Sequence, residues 1–227
     1  MIYIIHGDDT VSSSNKLATE LTGKKNIIVL NAEKTNTQSL EQAFASQDLF
    51  AVEKCIVIEK FLKFKKAEMD ALVALVHQKE KGTTVYLWHN TELSKIALAK
   101  FKQAQVFSYI LPKLFFAFLD NLTPKMLQKE LDTLAQMDTV EDAQIFYATV
   151  KRVRLMLYLK MGIQNEEISK MNSWQLSKIQ AQSNHWSVSS LQRMYEYLVT
   201  IEIRMKSGGL LLPVRQELDR ALIQELN

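Results

Sequence analysis

A parallel α/β domain followed by an all-α domain is the fold class this sequence predicts, and three observations carry it. Five short apolar runs alternate with helical stretches over the first half of the chain, and no such run follows Pro112. Basic residue usage changes at the same place: all fourteen basic residues up to Leu111 are lysines, and all six arginines, from Arg152 to Arg220, lie beyond it. Leu111 to Lys113 is therefore the expected boundary between domains of residues 1–111 and 112–227.

The elements follow in order. Ile2 to His6 is an Ile/Tyr run closed by Gly7-Asp8-Asp9, a buried strand entering a turn. Ser12 to Leu21 is helical, Asn26 to Leu30 strand-like, and a helix is expected from about Ser39, with Ser39-Leu40-Glu41-Gln42 as its capping signature. Then come a strand at Cys55 to Ile58, a helix at Lys65 to His77, a strand at Thr83 to Trp88, a helix at Glu92 to Phe101 and a strand at Gln105 to Tyr109. Five such runs separated by helices imply a parallel sheet covered on both faces. Beyond the boundary, helices are expected at Lys113 to Leu122, from a Thr123-Pro124 cap to about Met137, from Thr139 to Met161, from Asn172, from Ser187 to Lys206, and from Pro213 to Leu226. The clearest apolar stripe is Leu191, Met194, Tyr195, Leu198, Ile201 and Met205. A bundle of about six helices results.

With 227 residues, 47% of them hydrophobic, the chain can bury a real core. No uncharged apolar run reaches the roughly 18 residues of a membrane span, and Met-Ile-Tyr-Ile-Ile-His lacks a basic leader and a small-residue cleavage site. A cytoplasmic protein with no membrane partner is the expectation. The single cysteine, Cys55, excludes an internal disulfide and a multi-cysteine zinc site, and the net charge of +3 is too small to argue for nucleic acid by itself.

Parallel sheets place ligands at the carboxyl ends of their strands, so the first turn is where a nucleotide site would lie. A phosphate-cradling loop needs several glycines and a Lys-Ser/Thr pair; His6-Gly7-Asp8-Asp9-Thr10 has one glycine and two carboxylates. Glu59 closes the third strand, where a magnesium-organising carboxylate sits in a nucleotide hydrolase; without a phosphate loop it reads better as a vestige of such a site or a capping group. His6, His77, His89 and His185 are isolated from metal-ligand partners, and no Gly-x-Ser-x-Gly elbow occurs. No catalytic residue, metal site or cofactor is expected. Arg154 shares a helix face with Tyr147, Val150, Tyr158 and Met161, which suits a partly buried arginine holding neighbouring helices.

Two surface candidates remain. Lys60, Lys63, Lys65 and Lys66, with Phe61 and Phe64 interleaved, form a candidate DNA-binding stretch in which lysines meet phosphates and aromatics stack on bases; solvated lysines beside core phenylalanines are the competing reading. The other is Leu49-Phe50. If the helix near Leu40 runs on, Leu40, Phe44, Gln47 and Ala51 share one face and Leu49 points away from it, a candidate anchor for another protein. If the helix stops near Ser46, both residues fold back into the core.

The order of the pieces resembles the delta subunit of bacterial DNA polymerase III, the sliding-clamp loader. Four segments carry the resemblance: Met1 to Asp9, with Gly-Asp-Asp in place of a phosphate loop; Asp48-Leu-Phe-Ala-Val-Glu-Lys-Cys-Ile-Val-Ile-Glu59; Phe116 to Leu122 with the helix bearing Arg152, Arg154 and Lys160; and Ile203-Arg-Met-Lys-Ser-Gly-Gly-Leu210. The resemblance implies an AAA+-like (RecA-like) α/β domain without a phosphate loop, then a helical collar-type oligomerisation domain. It implies a subunit of a DNA-directed DNA polymerase holoenzyme with no catalytic site of its own, which binds and opens the sliding clamp (beta subunit) through Leu49 and Phe50 during DNA replication. Other clamp-loader subunits are implied as partners of the C-terminal helices. Family members usually carry a small lid domain between these two; here Tyr109-Ile-Leu-Pro112 runs almost directly into collar-like Phe115 and Phe116, so the chain resembles a short form. The arginine-finger motif Ser-Arg-Cys of neighbouring loader subunits is absent. The alternative reading is a free-standing nucleic-acid-binding or replication-regulating protein that uses the stretch from Lys60 to Lys66.

Overall fold

The structure, a computed structural model, describes residues 1–46, 53–79, 81–124 and 126–226. It divides into two compact units, Met1–Leu111 and Pro112–Asn227. The first is built on β1 (Ile2–His6), β2 (Ile27–Asn31), β3 (Lys54–Glu59), β4 (Thr83–His89) and β5 (Gln105–Ser108), interleaved with α1 (Thr10–Leu21), α2 (Thr37–Ala45), α3 (Lys66–Gln78) and α4 (Lys95–Ala99). The strands form one sheet in the order β2-β3-β4-β1-β5, and every neighbouring pair is parallel. This is the five-stranded parallel α/β architecture expected from the alternating apolar runs.

Strand periodicity sorts the side chains onto two faces. Ile4, Ile56, Ile58, Val85 and Leu87 point to one face and pack with Leu40 of α2, Met69, Leu72 and Val76 of α3, and Phe101. Their neighbours Ile5, Cys55, Val57 and Tyr86 point to the other, against Leu17 of α1. On that second face Tyr3 stacks between Tyr86 and Phe107 at centroid distances of 5.0 and 6.4 Å, and the Lys16 ammonium lies 4.4 Å above the Phe107 ring. Runs apolar at every position are thus explained by burial on both sides. The edge strands β2 and β5 leave Val29 and Val106 exposed.

Several helix starts differ from the sequence reading: α1 begins at Thr10 rather than Ser12, α4 at Lys95 rather than Glu92, and the helices that follow Asn36, Met126 and Glu141 also begin elsewhere. In α2 the cap is Asn36, whose side chain accepts from the Ser39 amide, so the helix begins before the Ser39 signature. Thr123-Pro124 precedes, and does not open, α6 (Leu127–Ala135), whose cap residue is Met126. The long α7 (Asp142–Lys160) begins after Glu141, not at Thr139. In α2 several short polar residues compete for the cap and the one whose oxygen meets an end amide wins; Met126 and Glu141 make no side-chain cap bond.

The second unit is all-helical among the described residues. To α6 and α7 it adds α5 (Lys113–Asn121), the single turn α8 (Glu166–Ser169), α9 (Ser173–Ser183), α10 (Val188–Ser207) and α11 (Val214–Leu226). Helix α7 is buried on most sides and packs against α5, α9, α10 and α11. Asn172, Ser187 and Gly208 cap as their types predict: Asn172 accepts from Gln175, Ser187 from Ser190, and Gly208 adopts the left-handed conformation. Leu191, Met194, Leu198 and Ile201 of the predicted stripe are core, whereas Tyr195 and Met205 are half-buried. Both arginines of α7 hold helices together. Arg154 donates to Glu167 at 2.8 Å, and Arg152 donates to Asp120 of α5 and Gln182 of α9 at 3.2 and 3.1 Å. The Gln182 amide also donates to the Leu119 and Leu122 carbonyls, joined there by the Trp186 indole, so the open end of α5 is satisfied. No described helix is long and apolar enough to cross a membrane.

Candidate functional site

The carboxyl ends of β1, β3 and β4, with the connection leading into β3, hold most of the residues that the sequence singles out in the first unit. At the end of β1 the chain must turn under the segment that follows β5. Gly7 has φ 138°, and a Cβ there would stand 1.6 Å from the Tyr109 carbonyl oxygen, so only glycine fits. Two of the turn's amides are committed within the chain: Gly7 donates to the His89 carbonyl at 3.3 Å and Asp9 to the Tyr109 carbonyl at 3.1 Å. Asp9 caps α1 by accepting from the Ser12 amide, and Asp8 accepts from the Leu111 amide at 2.7 Å. The place where a phosphate loop turns its amides outward is therefore closed by the chain's own backbone and lined by two carboxylates.

His6 and His89 are register partners at the ends of β1 and β4, and both are buried. Burial lowers the pKa of each, which favours the neutral ring. The His6 Nδ1 accepts from the Leu93 amide at 3.2 Å; the His89 ring meets Phe61 edge-on at 5.6 Å, and its Nδ1 is buried with no partner among the described residues. Glu59 accepts from the Asn31 side chain at 3.3 Å across the strand ends. Among the described residues no group of three His, Cys, Asp or Glu side chains is placed to hold a metal ion.

The basic stretch divides in two. Lys60 adopts a left-handed conformation at φ 53°, donates its amide to the Trp88 carbonyl and its ammonium to Glu33 at 2.8 Å. That hydrogen bond lowers the Glu33 pKa. A single 3₁₀ turn, Phe61–Lys63, then leads into α3. Phe61 is 0% exposed and Phe64 8%, so both rings are core and neither offers a face to a nucleobase. Lys63, Lys65 and Lys66 are exposed.

Leu49 and Phe50 lie outside the described residues. Helix α2 ends at Ala45; Ser46 is extended at ψ 127° and its amide donates to the Gln42 carbonyl. The continuing helix that would turn Leu49 away from Leu40 and Phe44 is thus interrupted before it reaches Leu49. Across the connection, the Lys54 ammonium at the start of β3 donates to the Phe44 and Ser46 carbonyls at 3.0 and 2.5 Å. Glu53 pairs with Lys24 at 3.2 Å. The two ends of the connection are therefore tied together by one side chain that also satisfies the last carbonyls of α2.

No protein-family model matches the chain, and no curated protein matches it in sequence. Solved structures do. The Bacillus subtilis DNA clamp loader delta protein aligns over 99% of this chain and 95% of its own, with 14% identity and a TM-score of 0.44. A DNA polymerase III gamma subunit-related protein from Thermotoga maritima aligns over 99% of this chain and 93% of its own, with 15% identity and a TM-score of 0.38. The Drosophila ORC structure bound to GC-rich DNA and Cdc6 aligns over 87% of this chain and 45% of its own, with 10% identity and a TM-score of 0.36.

Proposed function

We propose that the chain is a non-hydrolysing clamp-loader subunit of the delta type. Leu49 and Phe50 grip a hydrophobic pocket of the sliding clamp, the α/β unit acts as the lever, and the helical unit joins the other loader subunits. The observation that carries this reading is where the resembling segments fall. Gly7-Asp8-Asp9 closes β1, Asp48 to Glu59 leads into β3, Phe116 to Leu122 lies along α5, and Ile203 to Leu210 spans the end of α10. The committed amides of the first turn support a role without ATP hydrolysis. Clamp opening then needs no chemistry: a surface that binds the open ring more tightly than the closed one shifts the equilibrium by that difference in affinity alone.

The test is binding of the purified chain to the cognate clamp, beside the Leu49→Ala, Phe50→Ala double variant. Truncating two apolar anchors is expected to cost about 2 kcal/mol or more, roughly thirtyfold in Kd. Undiminished clamp binding by the double variant removes the pair from the interface. The nucleic-acid reading keeps only phosphate contacts from the exposed Lys63, Lys65 and Lys66, because Phe61 and Phe64 are core. Tight DNA binding that weakens steeply with salt, without clamp affinity, would favour it.

A further inference from the structure

The second unit contains a groove of about 700 Å³ to which the clamp-loader reading assigns no occupant. It lies between α5, α7 and the α8–α9 corner, and its residues come from three separate stretches of sequence. Its floor is apolar, with Leu119, Leu155 and Ile179 nearly closed to solvent. Two aromatic walls stand open: Trp174 is 68% exposed and Phe116 42%. A tryptophan left this exposed beside an apolar floor is the residue type that anchors protein contacts.

The charge around the groove is unbalanced in one direction. Asp120 is shared by Arg152 and Lys178, and Glu167 by Lys151 and Arg154, so each carboxylate answers two cations. Lys170 at the rim pairs with Glu166. Burial pushes the Glu167 carboxyl up, yet the opposing pull of Lys151 and Arg154 is larger and leaves its pKa below the usual value. The Lys178 ammonium also lies 5.1 Å from the centroid of the Trp174 ring. Cations in excess, placed around open aromatic walls, call for an occupant that brings both carboxylates and an apolar side chain.

We infer that this groove binds a short acidic peptide segment of a partner protein. An apolar or aromatic side chain of the peptide lies against Trp174 and Phe116, and flanking Asp or Glu residues meet Lys178, Lys151 and Lys170. The volume suits a few residues and is within the usual range of ligand pockets, about 300 to 1,000 Å³. A nucleic-acid strand fits less well. It brings a charge at every nucleotide and so must run some of them past Asp120 and Glu167, whereas a peptide can place its few carboxylates at the exposed lysines alone. The assignment is independent of Leu49 and Phe50, so either can fail alone.

The test is selection of a random phage-displayed peptide library on the full chain, followed by fluorescence anisotropy with the enriched peptides synthesised and labelled. Enriched sequences are expected to carry an apolar residue flanked by Asp or Glu. Trp174→Ala and Lys178→Gln, both at exposed positions, are each expected to weaken binding about tenfold or more while leaving the circular dichroism spectrum unchanged. Three results overturn the proposal: no enrichment, enriched peptides without carboxylates, or binding undiminished by both variants. Tighter binding of a labelled oligothymidylate that displaces the peptide and is lost in Trp174→Ala would give the groove to single-stranded nucleic acid instead.

Discussion

At the scale of single residues, two side-chain environments have consequences that can be measured. Gly7 is held at φ 138° under the Tyr109 carbonyl, with no room for a Cβ. Gly7→Ala must displace backbone on both sides of the turn, and a loss of about 3 kcal/mol or more in urea unfolding is expected. A loss under about 1 kcal/mol would mean that the turn and the segment after β5 are not locked together. Glu130 on α6 is fully buried, both of its oxygens lack partners among the described residues, and burial pushes its carboxyl up to about 7 from 4.5. Between those values the folded state keeps a proton that the unfolded state releases. The stabilisation this provides is therefore fully present below pH 4.5 and is lost as pH rises through about 7. Glu130→Met keeps the length of the side chain and removes the proton. Its stabilising effect is expected to be about 2 kcal/mol larger near pH 8 than near pH 4, read from urea midpoints. A pH-independent difference would show that Glu130 finds a partner or water in solution.

At the scale of elements, the strands were the most legible part of the sequence, because Ile4-Ile5, Ile56-Val57-Ile58 and Val85-Tyr86-Leu87 are apolar on both faces and have no other way to be buried. Helix starts were less legible. Asn36, Thr37 and Ser39 all carry side-chain oxygens that suit a cap, and only geometry selects Asn36. The candidate anchor shows the same limit: a helical face argues that Leu49 points outward, and α2 stops at Ala45 before that face reaches it. The groove around Trp174 left no linear signal, since its walls come from α5, α7 and α9. What sequence could not convey is the Lys54 side chain reaching back to the Phe44 and Ser46 carbonyls and fixing the spacing between the end of α2 and the start of β3. If the connecting residues carry the clamp contact, this tether positions them. Lys54→Met is expected to weaken clamp binding by about threefold to tenfold, with an unchanged far-ultraviolet circular dichroism spectrum. Unaltered affinity would show that the contact does not depend on how its two ends are held.

At the scale of the whole molecule, the division at Leu111 and Pro112 separates two different kinds of core. The first unit buries its sheet between α1 on one face and α2, α3 and Phe101 on the other. Residues 1–111 thus contain both layers that a parallel sheet requires. The second unit gathers its helices around α7, and the ends of α5 and α6 are satisfied within the unit. Gln182 and Trp186 donate to the carbonyls at the end of α5, and Arg215 donates to the Leu134 carbonyl in the last turn of α6 and to the Met137 carbonyl just beyond it. Each unit thus has its own core and its own helix caps, and each is expected to fold alone. The proposed division of labour then becomes testable with two fragments. Residues 1–111 should unfold cooperatively in urea and bind the clamp within about threefold of the full chain, because the proposed contact and its Lys54 tether both lie there. Residues 112–227 should also unfold cooperatively, show no clamp affinity, and compete with the full chain for the other loader subunits. Clamp affinity found in residues 112–227, or lost from a folded fragment of residues 1–111, would move the clamp contact away from Leu49 and Phe50.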